Sequence, residues 1–329
     1  MATLETQQLD EIIVNSRRKM LTMGGTALAA MLFAGTSKAH AQSAVTDTDI
    51  LNFALNLEYL EAQFYTLAVY GVTIDNLPTP IPISVNGGTG GTVALGPTFA
   101  KVPFAMPTVA AYAMETAIEE GKHVSFLQGA LSTAAVSMPN IDLYNSFNTL
   151  ANAAGIGASF NPFASDANFL MGAYIFEDVG VTAYHGAAPL ISDKKNILPA
   201  AVGIHAVEAY HAGLVRTTIN AIDFSNGNTA LSALTQKISA TRSMLANPTG
   251  ATTTTYAGTM ADDIGVETIQ VDLNGATGSG AFTSSTIIDC DSNSLGFGRS
   301  TTQILAIVTG GSANNQGVFY PNGLNGNIK

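Results

Sequence analysis

Two segments of this sequence place a glutamate and a histidine three positions apart inside an apolar, helix-periodic run. IEEGKHVSFL, residues 118–127, carries Glu120 and His123; AVEAYHAGLV, residues 206–215, carries Glu208 and His211. In a helix, positions i and i+3 share a face. Each pair therefore offers a carboxylate oxygen and an imidazole nitrogen to one point. Two such pairs facing each other across a helical bundle can hold two metal ions. Two further carboxylates, one from each remaining helix, usually complete that arrangement.

The chain supplies the helices. Residues 46–70 have apolar residues at helical spacing, with Thr46 or Asp47 to cap the start and Gly71 to end it. A second helix is expected from Pro107 to about Val136, a third from Asp166 to Ala188, stopped by Pro189, and a fourth from Lys194 to Phe224. Each is about 30–45 Å long at 1.5 Å per residue. Only 11% of residues are charged, so the apolar faces must cover one another. The expected fold class is all-α, a four-helix bundle over residues 42–225. Residues 71–106 form a long Pro/Gly/Thr-rich insertion with β-like runs such as IPISV. Residues 137–165 form a second connection, long enough to cross the bundle. Residues 226–329 read as a mixed extension packed on the bundle. It has a fifth helix at 229–246, short strands at ETIQVDL and STIID, and a short helix TTQILAIVTG capped by Ser300.

Helices one and three hold the remaining carboxylates. Glu177 lies between Phe176 and Val179, and an unpaired carboxylate there would cost several kcal/mol or take up a proton. Helix one offers Glu58 and Glu61. An internal repeat favours Glu58: Tyr65 follows it by seven residues, as Tyr184 follows Glu177, while Glu61 aligns with Gly180. The expected ligands are thus Glu58, Glu120, His123, Glu177, Glu208 and His211. Tyr65 and Tyr184 could hydrogen-bond ligands or donate electrons, with aromatic core packing as the other reading. His205, six positions before His211, is turned away and suits a supporting or packing role; His185 suits the rim. Glu115 and Glu119 belong on a solvated face, with Glu119 to His123 as an i,i+4 alternative to the chosen pair. The helix glycines Gly121, Gly180, Gly203 and Gly213 each cost roughly 1 kcal/mol relative to Ala, for which close helix approach is one explanation.

The N-terminus carries Arg17 and Arg18, an apolar stretch from Leu21 to Ala34, and a small-x-small site at Ala39-His40-Ala41. This reads as a twin-arginine signal peptide over residues 1–41, with Gln42 as the mature start and a periplasmic or otherwise exported location. The apolar run is short of the roughly 20 residues that span a bilayer. The lone Cys290 has no intramolecular disulfide partner. A net charge of −11 argues against nucleic acid and anionic membranes as partners.

LNFALNLEYLEAQFY, FEDVGVTAYHGAA and AVEAYHAGLVR resemble the ferritin-like family that includes plant desiccation-related proteins and twin-arginine-exported bacterial relatives. The closing FGRSTTQILAIVTG and GVFYPNGLNG resemble that family's tail. The resemblance implies a ferritin-like bundle with a di-iron carboxylate site on the six residues above, with Glu120 and Glu208 bridging both ions. Carboxylate and imidazole donors suit iron or manganese. Such a site points to Fe(II) oxidation with O₂ or H₂O₂, or to peroxide consumption at a di-manganese centre, in a stress-protective setting. A non-catalytic exported structural or protective protein is the alternative, and a homodimer stays open.

Overall fold

The computed structural model describes residues 45–249, 253–255, 258–260, 263–272 and 281–329. The expected signal peptide lies outside the described residues. Val45–Lys329 forms one compact unit, so bundle and extension do not separate. No helix among the described residues is long and apolar enough to cross a membrane.

Four long helices make the bundle: α1 (Asp47–Tyr70), α2 (Pro107–Leu131), α4 (Asp166–Ala187) and α5 (Ile197–Asn226). α1 packs along α2, and α4 along α5. Thr46 starts α1 with a capping box closed by Asp49, and Gly71 ends it in the left-handed conformation at φ 75°. α2 opens on Pro107 and α4 on the Ser165 cap. Between them lies α3 (Asn145–Ala153), a helix that the expected plain connection over 137–165 lacks. Phe147, Leu150 and Ala151 give it an apolar stripe at i, i+3, i+4.

α1 is buried on every side from Ile50 to Ala68, so it needs cover beyond α2 and α4. The C-terminus provides it. Tyr320 donates to the Asn56 carbonyl at 2.7 Å, and the Asn56 side chain exchanges hydrogen bonds with the Asn325 backbone at 2.9 and 3.0 Å. Aromatic rings fill the core beside α1, with Phe64 stacked on Phe169 at 5.7 Å.

The extension contributes α6 (Ala230–Ala246) and α7 (Thr301–Thr309), the latter with a Ser300–Gln303 capping box. It is fastened to the bundle by a buried charge network. Asp178 on α4 accepts from Arg216 on α5 and Arg242 on α6, both at 2.8 Å. Asp263 accepts from Arg242 at 2.8 Å and Arg299 at 2.9 Å. The guanidinium of Arg242 also lies 4.6 Å from the Tyr174 ring centroid.

Short strands decorate this frame. β1 (Val93–Ala94) pairs in parallel with β2 (Ile141–Asp142). β3 (Thr253–Thr255) lies between β4 (Gly258–Met260) and β7 (Phe297–Gly298). β5 (Glu267–Asp272) pairs antiparallel with β6 (Ala281–Thr286). Three expectations need correcting. IPISV forms no strand, because Pro80 and Pro82 lack the donors a ladder needs. STIID enters the strand only with Ser285 and Thr286: pairing ends at Thr286 opposite Glu267, and the next carbonyl, of Ile287, accepts from Arg216 instead. α2 stops at Leu131 rather than Val136, where Ser132 turns to φ 50°, and Asn52 then takes the Ala134 carbonyl and the Val136 amide.

Candidate metal centre

Each bundle helix turns part of the predicted set inward. Glu58 comes from α1, Glu120 and His123 from α2, Glu177 from α4, and Glu208 and His211 from α5; all six are buried. His123 Nδ1 lies 3.2 Å from Glu58 Oε2, 3.2 Å from Glu120 Oε2 and 3.6 Å from Glu208 Oε1. His211 Nδ1 lies 3.0 Å from Glu120 Oε1 and 3.4 Å from Glu177 Oε2. Two donor groups result, each with its ligand atoms within 4.8 Å of one another. One is Glu58, Glu120, His123 and Glu208; the other is Glu120, Glu177 and His211. Glu120 belongs to both, one oxygen toward each histidine. Glu208, the second bridge implied by the family resemblance, stands in the first group alone.

The internal repeat has a structural counterpart. Tyr65 on α1 donates to Glu177 on α4, and Tyr184 on α4 donates to Glu58 on α1. Each phenol thus crosses to the carboxylate of the other helix. It holds one oxygen and leaves the second free to face the centre.

Several of those inward atoms are buried with no hydrogen bond: Glu120 Oε1, Glu177 Oε2, both Glu208 oxygens and His211 Nδ1. Orphaned buried oxygens cost several kcal/mol each unless something else meets them. Their convergence, and a donor set of carboxylates and imidazoles, fit divalent cations.

Electrostatics agree. Burial pushes the Glu58 carboxyl up to about 7 against the pull of His123. Burial, then the neighbouring carboxylates, hold Glu61 and Glu208 well above the usual carboxylate range. Burial also raises Glu177 against the pull of His211. For Glu120 burial would do the same, but the two imidazolium groups beside it, His123 and His211, outweigh that and hold it low. Burial disfavours both imidazolium ions, yet Glu58 and Glu120 raise His123 to about 11, and Glu177 and Glu120 raise His211 to about 12. Five buried carboxylates cannot all ionise beside two imidazoles, so several hold protons that two divalent ions would replace.

The other singled-out residues fall around this cluster. Glu61 is buried beside it, but joins neither donor group. His185 and His205, both half-buried, lie beside each other with ring centroids 5.8 Å apart, and neither joins a donor group. Gly180 has a definite reason: a Cβ there would run into the Glu208 carboxylate and sit 3.5 Å from Glu61. Gly180→Ala is therefore expected to displace Glu208. The strain should cost about 1–3 kcal/mol and weaken the first metal position roughly tenfold or more, read by metal titration. Gly121 meets the Ile81 side chain, whereas Gly203 and Gly213 face open space. Glu119 does not reach His123. Its Oε2 lies 2.7 Å from His211 Nε2 on the opposite helix, a pairing that spacing along α2 alone could not show.

A model of the ferritin-like domain family matches residues 46–221, the whole run of helices that carries the cluster. The chain belongs to that family. Ferritin-like relatives extend the likeness past the bundle. Desiccation-related protein PCC13-62 of Craterostigma plantagineum is 29% identical over 272 residues, covering 80% of this chain and 78% of the relative. Ferritin-like catalase Nec2 of Nesocodon mauritianus is 23% identical over 290 residues, covering 86% of this chain and 84% of the relative. No solved structure matches at a significant level.

Proposed function

We propose that this ferritin-like protein is a metal-dependent oxidoreductase holding two iron ions, or two manganese ions, on Glu58, Glu120, His123, Glu177, Glu208 and His211. The observation that carries this reading is the pair of donor groups sharing Glu120, with their orphaned oxygens turned inward. When bound, such ions supply two-electron redox chemistry toward O₂ or H₂O₂. The protein's own residues prepare the place for it. Glu120 spans both positions, Tyr65 and Tyr184 orient the outer carboxylates, and their hydroxyls stand ready to hold a proton beside each. The helices keep bulk water out, since the carboxylates and His211 are almost wholly buried.

Fe(II) oxidation and peroxide consumption both suit this arrangement, and the catalase relative favours the second. A stress-protective role accords with the desiccation-related relative. Export through the twin-arginine route rests on Arg17, Arg18 and the apolar run that follows. The test is elemental analysis of protein purified from its native host, followed by Fe(II)-oxidation and peroxide-consumption assays. Two equivalents of iron or manganese with turnover are expected. A metal-free, inactive protein that cannot be reloaded would leave the second reading, a non-catalytic exported protein. The histidine–glutamate contacts, all at or below 3.6 Å, could support such a protein without an ion.

Loading has a proton cost with a definite sign. A nitrogen or carboxylate binds metal only after losing its proton. With His123 at about 11 and His211 at about 12, both protons must leave at neutral pH. Metal uptake is expected to release at least two protons per chain, and apparent affinity should climb with pH up to about 11. Calorimetry in buffers of different ionisation enthalpy measures this. The chelator-treated chain should behave oppositely. Its raised histidines contribute stability fully below about 6.5, and that contribution fades as pH rises through 11 to 12.

A further inference from the structure

Gly203 and Gly213 have no counterpart within the chain: a Cβ at either would meet nothing within 4 Å, yet each costs a helix about 1 kcal/mol relative to Ala. Both lie on the outer side of α5. The charged residues of that helix, Glu208, Arg216 and Asp223, are all buried. The face it turns to solvent from Pro199 to Phe224 therefore carries no Asp, Glu, Lys or Arg. Tyr210 and Phe224 stand on it 73% and 71% exposed. Across the seam where Glu120 meets His211, α2 continues the face with Met114, Ile118 and Phe126, all exposed. A continuous apolar face of this kind marks an interaction surface. The chain carries a net charge of −11, so two copies repel except where a face such as this one holds the charge away.

A two-fold contact needs a surface whose pattern matches itself when reversed. The exposed side of α2 does so about a point between Ile118 and Glu119. Glu115 then meets Lys122 of the partner subunit, Ala111 meets the partner's Phe126, and Ile118 lies at the axis. The exposed side of α5 does so about a point between Gly213 and Leu214. Gly203 then meets the partner's Phe224, and Gly213 meets the partner's Leu214. The two points adjoin. α2 and α5 run antiparallel, with Glu120 beside His211 and His123 beside Glu208. This sets the α2 midpoint level with residues 212 and 213, about 1.5 Å from the α5 midpoint. One axis therefore serves both helices. With 25 and 30 residues, the two helices present a face about 40 Å by 20 Å, or roughly 800 Å². Each partner in a stable complex brings about that much.

We propose that the outer face of α2 and α5 is a homodimer interface, two copies meeting antiparallel about an axis beside Ile118 and Gly213. The inference does not depend on the metal reading. The glycines let the facing α5 helices approach closely, and the large side chains of one copy fill the space left open by the other.

The experiment is sedimentation equilibrium of the full chain as purified from its host, over a wide concentration range. The wild type is expected at twice the chain mass. Glu115→Lys sets lysine against lysine on both sides of the axis and should weaken the dimer about tenfold or more. Adding Lys122→Glu restores both pairs in the reverse sense and should bring the dissociation constant back to within about threefold of wild type. Tyr210→Glu places a charge in the apolar face and should give monomers. All three positions are exposed, so the melting curve of each variant's monomer should keep its cooperativity. A monomeric wild type overturns the proposal, and one that floats with phosphatidylcholine vesicles assigns the face to a membrane instead. A dimer untouched by both Tyr210→Glu and Glu115→Lys overturns the choice of face. Weakening by Glu115→Lys with no recovery in the double variant overturns the antiparallel register.

Discussion

Replacing Glu120 with alanine is expected to empty both metal positions at once. Among the described residues no other serves the two donor groups together, and each Glu120 oxygen faces a different histidine, at 3.2 and 3.0 Å. Metal content should fall from two ions per chain to none, and Fe(II) oxidation or peroxide turnover should fall to background. The fold should survive. His123 keeps Glu58, His211 keeps Glu177 and Glu119, and the crowded carboxylates lose a repelling neighbour. A change of about 1–2 kcal/mol in stability is the expectation. Glu177→Ala supplies the contrast, because it touches only the second group. It should retain one ion where Glu120→Ala retains none. Metal analysis of the two variants beside the wild type is sufficient, and two ions surviving in Glu120→Ala would dismantle the shared-carboxylate arrangement.

Asp263→Ala is expected to be the most destabilising change outside the centre. Asp263 is buried and is the meeting point of Arg242 and Arg299, themselves buried. Removing one side of such a pair leaves uncompensated charge in the interior and costs about 3–5 kcal/mol. For a domain of this size that corresponds to a fall in melting temperature on the order of 10 °C. The residue itself sits at φ 59°, a left-handed conformation that aspartate tolerates better than alanine. That adds to the loss. Asp178 links this network to the centre, since it is adjacent to Glu177 and ties α4 to both Arg216 and Arg242. A thermal melt measures the effect. A shift of only a degree or two would mean that the extension is held by apolar packing and not by this network.

Much of the centre could be read from the chain because helices impose a period. Glu120 with His123, and Glu208 with His211, share a face for that reason alone, and the spacing of Glu58 to Tyr65 and Glu177 to Tyr184 follows from two helical turns. Caps at Thr46 and Ser300, and the stop at Gly71, were equally local. What stayed hidden depends on how helices meet. Glu119 finds His211 only once α2 lies against α5. The crossing of the tyrosines to opposite carboxylates needs the packing of α1 and α4. Asp178, Arg216, Arg242, Asp263 and Arg299 have no spacing that ties them together, so their network was invisible. Glu208, expected from the family resemblance to match Glu120 as a bridge, stands in one group, and the room its carboxylate needs beside Gly180 shows only once α4 packs on α5.

The bond between Asn56 and Asn325 joins residues 269 positions apart. Helix α1 is made long before residues 320–325, yet its buried Asn56 amide, bonded to the Asn52 carbonyl within the helix, gains its remaining partners there. During synthesis this helix, buried almost all round in the fold, stays uncovered on that side until the segment around Tyr320 emerges. A chain cut short near residue 315 would expose the back of the helix that carries Glu58.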